Sequence, residues 1–484
     1  MSLDKNFLLL ILSAFLILAF VMFFIPLQWD SAVYLLNSEH FFGKNIYFDD
    51  GAPRLLPQII AKIWRLTGVS EIAARLISVS MSLGLIAATY LIANELFNKR
   101  TAFFASLFLL FNPLFLLYSS KVYTDIPLAL MVTFTIYLFY NGVVKGRSIS
   151  LLLSGVFITI SILIKYPGLL LYPITLSFIL LTERKALKNP CLWLSYLISI
   201  GLLIPSINQF SGGIVSYIST IPYSREIQNL SYFITLPLIL LTATPLVILL
   251  LLKRRGKLLE REYLILLLTI FFIFCFYQTV PSKDIRYLLP LFPSAFILAA
   301  KELDEKIMEK MPEEFGKIKI NFKKIYGYFL LPLIVSFIIL YLDFYFKPDS
   351  IIQAGKYLNS AEDSLIISNY WPEISYYSQK TAKWFPSTEE RLYQQMAEFK
   401  IDYVVAIEIK KLLPLDLRIL GIYTDTEPSW VKIKNIDSLK FLKKIKQFED
   451  NQKITAVYKF NKDIPNRTFI NVTDKSSLAR LLPN

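Results

Sequence analysis

Two acidic residues lie directly beside apolar segments, where a carboxylate can do chemistry at a membrane surface. Asp30 follows the first apolar run, in the stretch LQWDSAVYLLNSEHFFGKN at 27–45, and Asp125 precedes the fourth, in SSKVYTDIP. One carboxylate can act as a general base while a second orients it. Two carboxylates can equally bind a hard divalent cation. The residue types leave both roles open.

Three basic residues are placed in a similar way. Lys165 lies in ILIKYPGLLLYP, and Lys283 and Arg286 lie in PSKDIRYLLP. Arg binds an anion through its planar fork and Lys as a point charge. A charge that flanks an apolar segment is usually a solvated cap. Lys165 stands within apolar sequence, however, where a charge needs a partner or a water-filled cavity.

The acids and bases form one site only if they face the same side of a membrane. An anion that stays at that surface is, most economically, the phosphate of a lipid. The residues therefore indicate chemistry on a lipid phosphate and do not name the reaction. The question that follows is which elements carry them.

Composition gives the class of protein. Of 484 residues, 55% are hydrophobic and 15% aromatic, and the apolar residues fall in long blocks. This pattern predicts an α-helical polytopic membrane protein. Cys191 and Cys275 both lie in apolar blocks, so neither a disulfide framework nor a cysteine metal site is expected. His40 is the single histidine, which excludes a histidine-rich zinc centre.

A bilayer core about 30 Å thick requires about 20 apolar residues in a helix, and fewer where helices are buried among others. About eleven segments qualify, three of them short. The break IKYPG at 164–168 separates two spans in this count, although a kink within one long helix is the alternative. The predicted spans are 7–27, 71–96, 101–119, 126–143, 149–165, 167–181, 191–207, 231–252, 262–280, 287–300 and 326–346.

The distribution of positive charge predicts the orientation. With a cytoplasmic N-terminus, the inside loops hold 20 Lys and Arg residues and the outside loops hold 8. Cytoplasmic loops carry such an excess because cationic loops resist translocation. The net charge of +14 is then a feature of topology, and no nucleic-acid partner is expected. All the acids and bases described above would face outward, and the loop 28–70 would be the first outer loop.

Residues 347–484 read as a separate domain that follows the transmembrane domain 1–346. SLIISNYWPEISYYS and IDYVVAIEI carry β-branched runs typical of strands, and STEERLYQQMAEF between them is typical of a helix. A soluble α/β domain on the exoplasmic face is therefore predicted. Sequons at Asn466 and Asn471 suit an exterior tail.

The order of these blocks resembles a known family. The run from WDSAVYLLNSEHFFGKN through SSKVYTDIPLAL, followed by ILIKYPGLLLYP and KDIRYLLPLFP, resembles GT-C fold glycosyltransferases of the protein O-mannosyltransferase and aminoarabinose-transferase group. The resemblance covers roughly residues 25–300. It implies a polyprenyl-phosphate sugar donor, a hydroxyl acceptor on protein, glycan or lipid, and transfer at the exoplasmic face with inversion.

The resemblance also implies roles for particular residues. Asp30 matches the expected general base, and Asp125 matches an acid that shapes the same pocket. Lys165, Lys283, Arg286 and Tyr287 match positions thought to hold the donor phosphate. The family often has Asp-Glu at the first motif, whereas Ser31 follows Asp30 here. This departure favours a metal-independent mechanism with no cofactor, although a divalent cation stays possible.

Two other classes of function compete with a glycosyltransferase. The first is a transporter or flippase for a lipid-linked or amphipathic substrate. Transporters often contain inverted repeats, and this sequence shows no internal repeat. The second is a non-catalytic membrane scaffold, in which Asp30 and Asp125 would be replaceable. The sequence identifies neither the sugar nor the acceptor.

Overall fold

The computed structural model divides the chain into two compact units, one ending at Lys347 and the other beginning at Pro348. The first also takes in 413–424, which lie outside the described residues. The structure describes residues 5–44, 53–206, 231–253, 258–280, 284–309, 322–345, 347–361, 364–386, 388–399, 401–409, 436–451 and 453–461.

The first unit is entirely helical where it is described. Five of its helical segments are long and apolar enough to cross a bilayer, starting at Lys5, Glu71, Asp125, Arg261 and Tyr328, and further apolar helices are shorter. The predicted class of polytopic helical protein is confirmed; the count of eleven spans stays a prediction. The helices are α1 (Lys5–Met22), α2 (Trp29–Phe42), α3 (Leu55–Thr67), α4 (Glu71–Leu96), α5 (Lys99–Leu110), α6 (Pro113–Tyr118), α7 (Asp125–Val144), α8 (Ser148–Ile164), α9 (Leu171–Thr182), α10 (Pro190–Leu203), α11 (Ser231–Leu240), α12 (Ala243–Lys253), α13 (Arg261–Thr279), α14 (Phe292–Glu309) and α15 (Phe322–Tyr345).

Helix α7 lies at the centre of this unit and packs against α4 and α8. Most of its side chains are buried, whereas α1 exposes one apolar face. Small residues let the helices approach closely. A Cβ placed on Gly155 of α8 would clash with the backbone carbonyl of Ser195 on α10. Such contacts suit a membrane, where packing replaces the hydrophobic effect between helices.

The span predicted as 101–119 is two helices, α5 and α6. They meet at Asn112 and Pro113, and the Asn112 side chain accepts hydrogen bonds from the backbone N–H groups of Leu114 and Phe115. Proline at the first helical position and an asparagine cap both favour a new helix start. The predicted span 231–252 is also divided, at Leu241, whose φ is 49°.

The break at IKYPG reverses the chain. Helix α8 ends at Ile164 and a 3₁₀ helix follows over Tyr166–Leu170. A Cβ on Gly168 would lie 2.5 Å from the carbonyl carbon of Ser161. Residues seven apart in a continuous α-helix would be separated by about 10 Å along its axis. The segment is therefore a turn back onto α8, which agrees with the hairpin interpretation over a kink.

The described part of the loop 28–70, which is predicted to be the first outer loop, contains two helices. Helix α2 ends at Gly43, which has a φ of 116° and closes the helix in the left-handed conformation. Helix α3 buries Leu56, Ile60 and Trp64 on one side. The 3.6-residue period of these apolar positions explains why a helix forms here.

The second unit is an α/β domain with a five-stranded sheet in the order β2-β1-β3-β5-β4. Strands β1, β2 and β3 are parallel, and β5 pairs antiparallel with β3 and β4. The α/β class of this region is confirmed. Its elements are α16 (Asp349–Asn359), β1 (Leu365–Ser368), α17 (Trp371–Ser378), β2 (Ala382–Trp384), α18 (Glu389–Glu398), β3 (Ile401–Ile409), β4 (Leu442–Glu449) and β5 (Lys453–Phe460).

The described residues of the second unit form a hydrophobic core. Leu392 and Met396 of α18 pack with Ile401 and Val404 of β3, and Tyr458 of β5 belongs to the same cluster. The placement of this unit on the exoplasmic side stays a prediction. The sequons at Asn466 and Asn471 lie outside the described residues.

Candidate active site

Asp30 lies in the first turn of helix α2. A carboxylate in this turn is stabilised by the positive end of the helix dipole. The Asp30 side chain is 36% exposed. A substrate hydroxyl can therefore reach its oxygens.

Asp125 is the first residue of helix α7, and its side chain is only 2% exposed. Its Oδ1 lies 2.5 Å from the Nζ of Lys165, which caps the end of α8. Lys165 in apolar sequence thus has the partner that its position requires. The two residues are 40 positions apart and come together because α7 and α8 pack side by side.

Arg286 lies at the centre of three carboxylates. Its Nη2 is 2.5 Å from Asp30 Oδ2, and its Nε is 3.0 Å from Asp284 Oδ2 and 3.7 Å from Asp125 Oδ2. The Nε contacts are ion pairs without hydrogen-bond alignment. We name Asp30, Asp125, Asp284, Lys165 and Arg286 the acid–arginine cluster.

Aromatic rings support both cations of the cluster. The Arg286 guanidinium carbon lies 4.5 Å from the ring centroid of Tyr123, and the Lys165 Nζ lies 4.4 Å from that of Tyr287. Tyr287 in turn stacks on Tyr277 at 5.3 Å. Cation–π contacts of this kind fix cations in position while leaving their polar edges available.

The acid–arginine cluster carries three carboxylates and two cations, a formal charge of −1 among the described residues. Burial favours the neutral form of Arg286, but the neighbouring carboxylates outweigh it and raise the pKa of Arg286 well above its ordinary value. Burial also raises the pKa of Asp284, partly offset by Arg286. A site expected to attract an anion thus has its cations already paired.

The structure brings together five of the six predicted site residues, namely Asp30, Asp125, Lys165, Arg286 and Tyr287. The sixth, Lys283, lies outside the described residues. Sequence reasoning assigned no role to Asp284 or Tyr123. Both stand two residues before a predicted site residue, Arg286 and Asp125 respectively, and this spacing is the signal that was available.

Helix α2 is also tied to the loop before α7. The Tyr34 hydroxyl lies 3.2 Å from Thr124 Oγ1. Burial raises the pKa of Tyr34, so the phenol stays neutral and can hydrogen-bond without adding charge. This contact fixes the distance between the turns that carry Asp30 and Asp125.

The carboxylates of the acid–arginine cluster contact the guanidinium of Arg286 and the ammonium of Lys165. Within the part of the chain that the structure describes, no group of three or more His, Cys, Asp or Glu residues is arranged to hold a metal ion.

Two family profiles match this sequence, each over about a third of the chain. Residues 52–208 match the dolichyl-phosphate-mannose-protein mannosyltransferases, and residues 229–370 match the Alg9-like mannosyltransferase family. A search of curated proteins gives no significant match.

Solved structures give the fold. ArnT from Cupriavidus metallidurans, bound to undecaprenyl phosphate, superposes with a TM-score of 0.64 at 13% identity, over 93% of this chain and 97% of that one. The archaeal oligosaccharyltransferase AglB from Archaeoglobus fulgidus, in complex with an inhibitory peptide and a dolichol-phosphate, gives 0.57 at 12% identity, over 83% and 69%. The chain has the GT-C fold of these membrane glycosyltransferases.

The arabinofuranosyltransferase AftD from Mycobacteria is a third structural neighbour of this chain, with a TM-score of 0.55 at 11% identity over 95% of this chain and 40% of that one. The family matches cover the site unevenly. Asp125 and Lys165 fall in the first match and Arg286 in the second, whereas Asp30 lies before both. The role of Asp30 therefore depends on its geometry.

Proposed function

We propose that this GT-C fold protein is a glycosyltransferase that moves a sugar from a polyprenyl-phosphate donor to a hydroxyl acceptor at the exoplasmic face, with inversion at the anomeric carbon. The observation that carries the proposal is the 2.5 Å contact between Arg286 and Asp30, an accessible acid beside a buried cation. An acceptor base and a phosphate ligand thus lie within the span of one sugar phosphate.

Arg286 and Lys165 are the proposed ligands of the donor phosphate, with Lys283 as a predicted third. ArnT is bound to undecaprenyl phosphate and AglB to a dolichol-phosphate, which supports a polyprenyl-phosphate donor here. A phosphate arriving at Arg286 competes with Asp30 for the same guanidinium edge. Donor binding therefore releases Asp30 from its ion pair.

Released Asp30 is the proposed general base. It takes the acceptor proton as the hydroxyl oxygen attacks the anomeric carbon and the bond from that carbon to the phosphate oxygen breaks. A carboxylate on the face opposite the leaving group performs this step in inverting glycoside chemistry. Charge separates between an oxocarbenium-like sugar and the departing phosphate, so cations at the phosphate are most useful in the transition state.

Asp125 is proposed to position Lys165. Its side chain is too deeply buried to reach an acceptor, and its Oδ1 contacts the Lys165 Nζ. Because Arg286 occupies the space among the carboxylates, we also propose that the reaction proceeds without a divalent cation. Addition of EDTA should then leave the initial rate unchanged.

The sugar and the acceptor are proposed at the level of class. Both matching families are mannosyltransferases, so mannose is the first sugar to test, ahead of a pentose or another hexose. The acceptor is a hydroxyl of a protein, a glycan or a lipid.

The test supplies dolichyl-phosphate and undecaprenyl-phosphate mannose, each labelled in the sugar, to membranes that carry the wild-type chain or Asp30→Asn. Label should move to the protein or lipid fraction with the wild type and nearly cease to move with Asp30→Asn. Labelled donor that crosses vesicle membranes intact, with no transfer, would instead favour a flippase. Equal transfer by both chains would remove Asp30 as the base.

A further inference from the structure

A second charged group lies behind the acid–arginine cluster and is buried more completely. The side chains of Lys121 and Asp343 are 0% and 2% exposed, and the Lys121 Nζ lies 3.5 Å from Asp343 Oδ1. The amide of Gln28 joins them: it accepts from Lys121 Nζ at 2.7 Å and donates to Asp343 Oδ1 at 3.0 Å. We name these three residues the amide bridge.

The amide bridge joins three separate elements. Gln28 is the residue before helix α2 and stands two positions from Asp30. Lys121 belongs to the loop that leads to Asp125. Asp343 lies in the last turn of α15, which also contacts the end of the first helix through Phe344 and Phe24.

The loop also connects the amide bridge to Arg286, the proposed ligand of the donor phosphate. The backbone carbonyl of Lys121 accepts a hydrogen bond of 2.9 Å from the N–H of Tyr123. The Tyr123 ring lies beneath the Arg286 guanidinium at 4.5 Å. A displacement of Lys121 would therefore move both the support of Arg286 and the contact to Gln28.

We infer that the amide bridge of Gln28, Lys121 and Asp343 positions Asp30 against Arg286, so that α15 sets the geometry of the catalytic base. The inference rests on the proposed function. All three residues act through Asp30 and Arg286 and are positioning residues; none of them touches the reacting atoms.

The energetics of the amide bridge favour a role in positioning Asp30 over a role in stabilising the fold. A buried ion pair is weak evidence of stabilisation, because desolvation offsets much of the attraction. Asp343 uses one oxygen for both contacts, while its buried Oδ2 has no hydrogen-bond partner among the described residues. Burial also lowers the pKa of Lys121, opposed by Asp343. A pair selected for stability would satisfy both oxygens of its carboxylate.

The test replaces the amide and keeps the ion pair. Gln28→Met has a similar size and leaves Lys121 facing Asp343. We expect kcat for labelled polyprenyl-phosphate mannose to fall about 10- to 100-fold, because small misplacements of a catalytic group have effects of this size. Donor KM and the melting temperature in detergent should stay close to those of the wild type.

A double-mutant cycle separates positioning from a structural defect. In an Asp30→Asn background the base is absent, so Gln28→Met should lower the residual rate by less than about twofold, since residues that act as a unit are strongly non-additive. The same fold loss in both backgrounds would overturn the inference. No loss in the wild-type background would overturn it as well.

Further variants distinguish a loss of positioning from a folding defect. Lys121→Met combined with Asp343→Leu removes both charges together and should reproduce the loss of kcat. Glu302→Gln is the matched control, since Glu302 is a fully buried carboxylate that contacts Lys253 elsewhere in the same unit, and its kcat should equal that of the wild type. An equal loss in Glu302→Gln would overturn the inference, and absence of transfer by the wild type would overturn the proposed function together with it.

Discussion

Exposure separates two acids whose residue types alone left their roles open. Asp30 is 36% exposed and faces Arg286, whereas Asp125 is 2% exposed and faces Lys165. A base has to reach the acceptor proton, and a positioning carboxylate does not. The division of roles thus follows from burial, which residue type and spacing do not reveal.

Replacing the proposed base should separate turnover from donor binding. For Asp30→Asn we expect kcat to fall about 10² to 10⁴-fold, the usual contribution of base catalysis. Donor KM should fall as well, because Arg286 loses a competing carboxylate. Initial rates at several donor concentrations measure both quantities. A raised donor KM with unchanged kcat would contradict the assignment.

Donor affinity should depend on pH through Asp284. The pKa of Asp284 is already raised by burial, and the charge of an arriving phosphate raises it further. Donor binding therefore takes up a proton at Asp284, and donor KM should decrease from about pH 8 to about pH 5.5.

Asp284→Asn is the control for this prediction. The amide carries no charge at any of these pH values, so the variant should bind the donor more tightly at high pH and show a flatter dependence of KM. A wild-type KM that rises on acidification would show that Asp284 stays charged when the donor binds.

At the scale of elements, close helix contacts can be tested with glycine. A side chain at Gly155 meets the backbone of α10, whereas a Cβ added to Gly201 would have no described atom within 4 Å. Gly155→Ala should lower the melting temperature in detergent, since the clash is with backbone. Gly201→Ala should be neutral or stabilising by about 0.5–1 kcal/mol. Equal melting of both variants would contradict the packing of α8 on α10.

The elements that sequence reasoning located well are those with long apolar runs, such as α4 and α7. Sequence reasoning missed the breaks at which one apolar run is divided into two helices without a change in mean hydropathy. Asn112 and Leu241 both divide a predicted span, one through a side-chain cap and the other through backbone geometry. Because hydropathy is averaged over a window of residues, it does not detect single positions of this kind.

The sequence was sufficient to predict which residues belong to the candidate site. Charges beside apolar segments indicated Asp30, Asp125, Lys165 and Arg286, and the outer-face assignment brought them together. Their pairing was not predictable, because it depends on distances between helices that are far apart in sequence. Three acids around one arginine follow only from the packing of α2, α7 and the segment before α14.

For the whole molecule, the orientation in the membrane stays a prediction with a direct test. In a chain with Cys191 and Cys275 replaced by Ser, Lys440→Cys in the second unit should react with a membrane-impermeant maleimide on intact cells. Lys185→Cys, in a loop predicted to be cytoplasmic, should react only after permeabilisation. Both positions are exposed, so access to solvent is matched. Labelling of Lys185→Cys on intact cells would invert the topology.

The excess negative charge of the acid–arginine cluster also bears on how a catalytic cycle ends. The proposed donor is a phosphodiester with one negative charge, whereas its spent carrier would be a phosphomonoester that bears about −1.5 to −2 near neutral pH. Once Asp30 and Asp284 have released their protons, three carboxylates around Arg286 repel the spent carrier more than they repel the donor. Electrostatic repulsion of the product would thus speed its return to the lipid phase and limit inhibition by accumulated carrier.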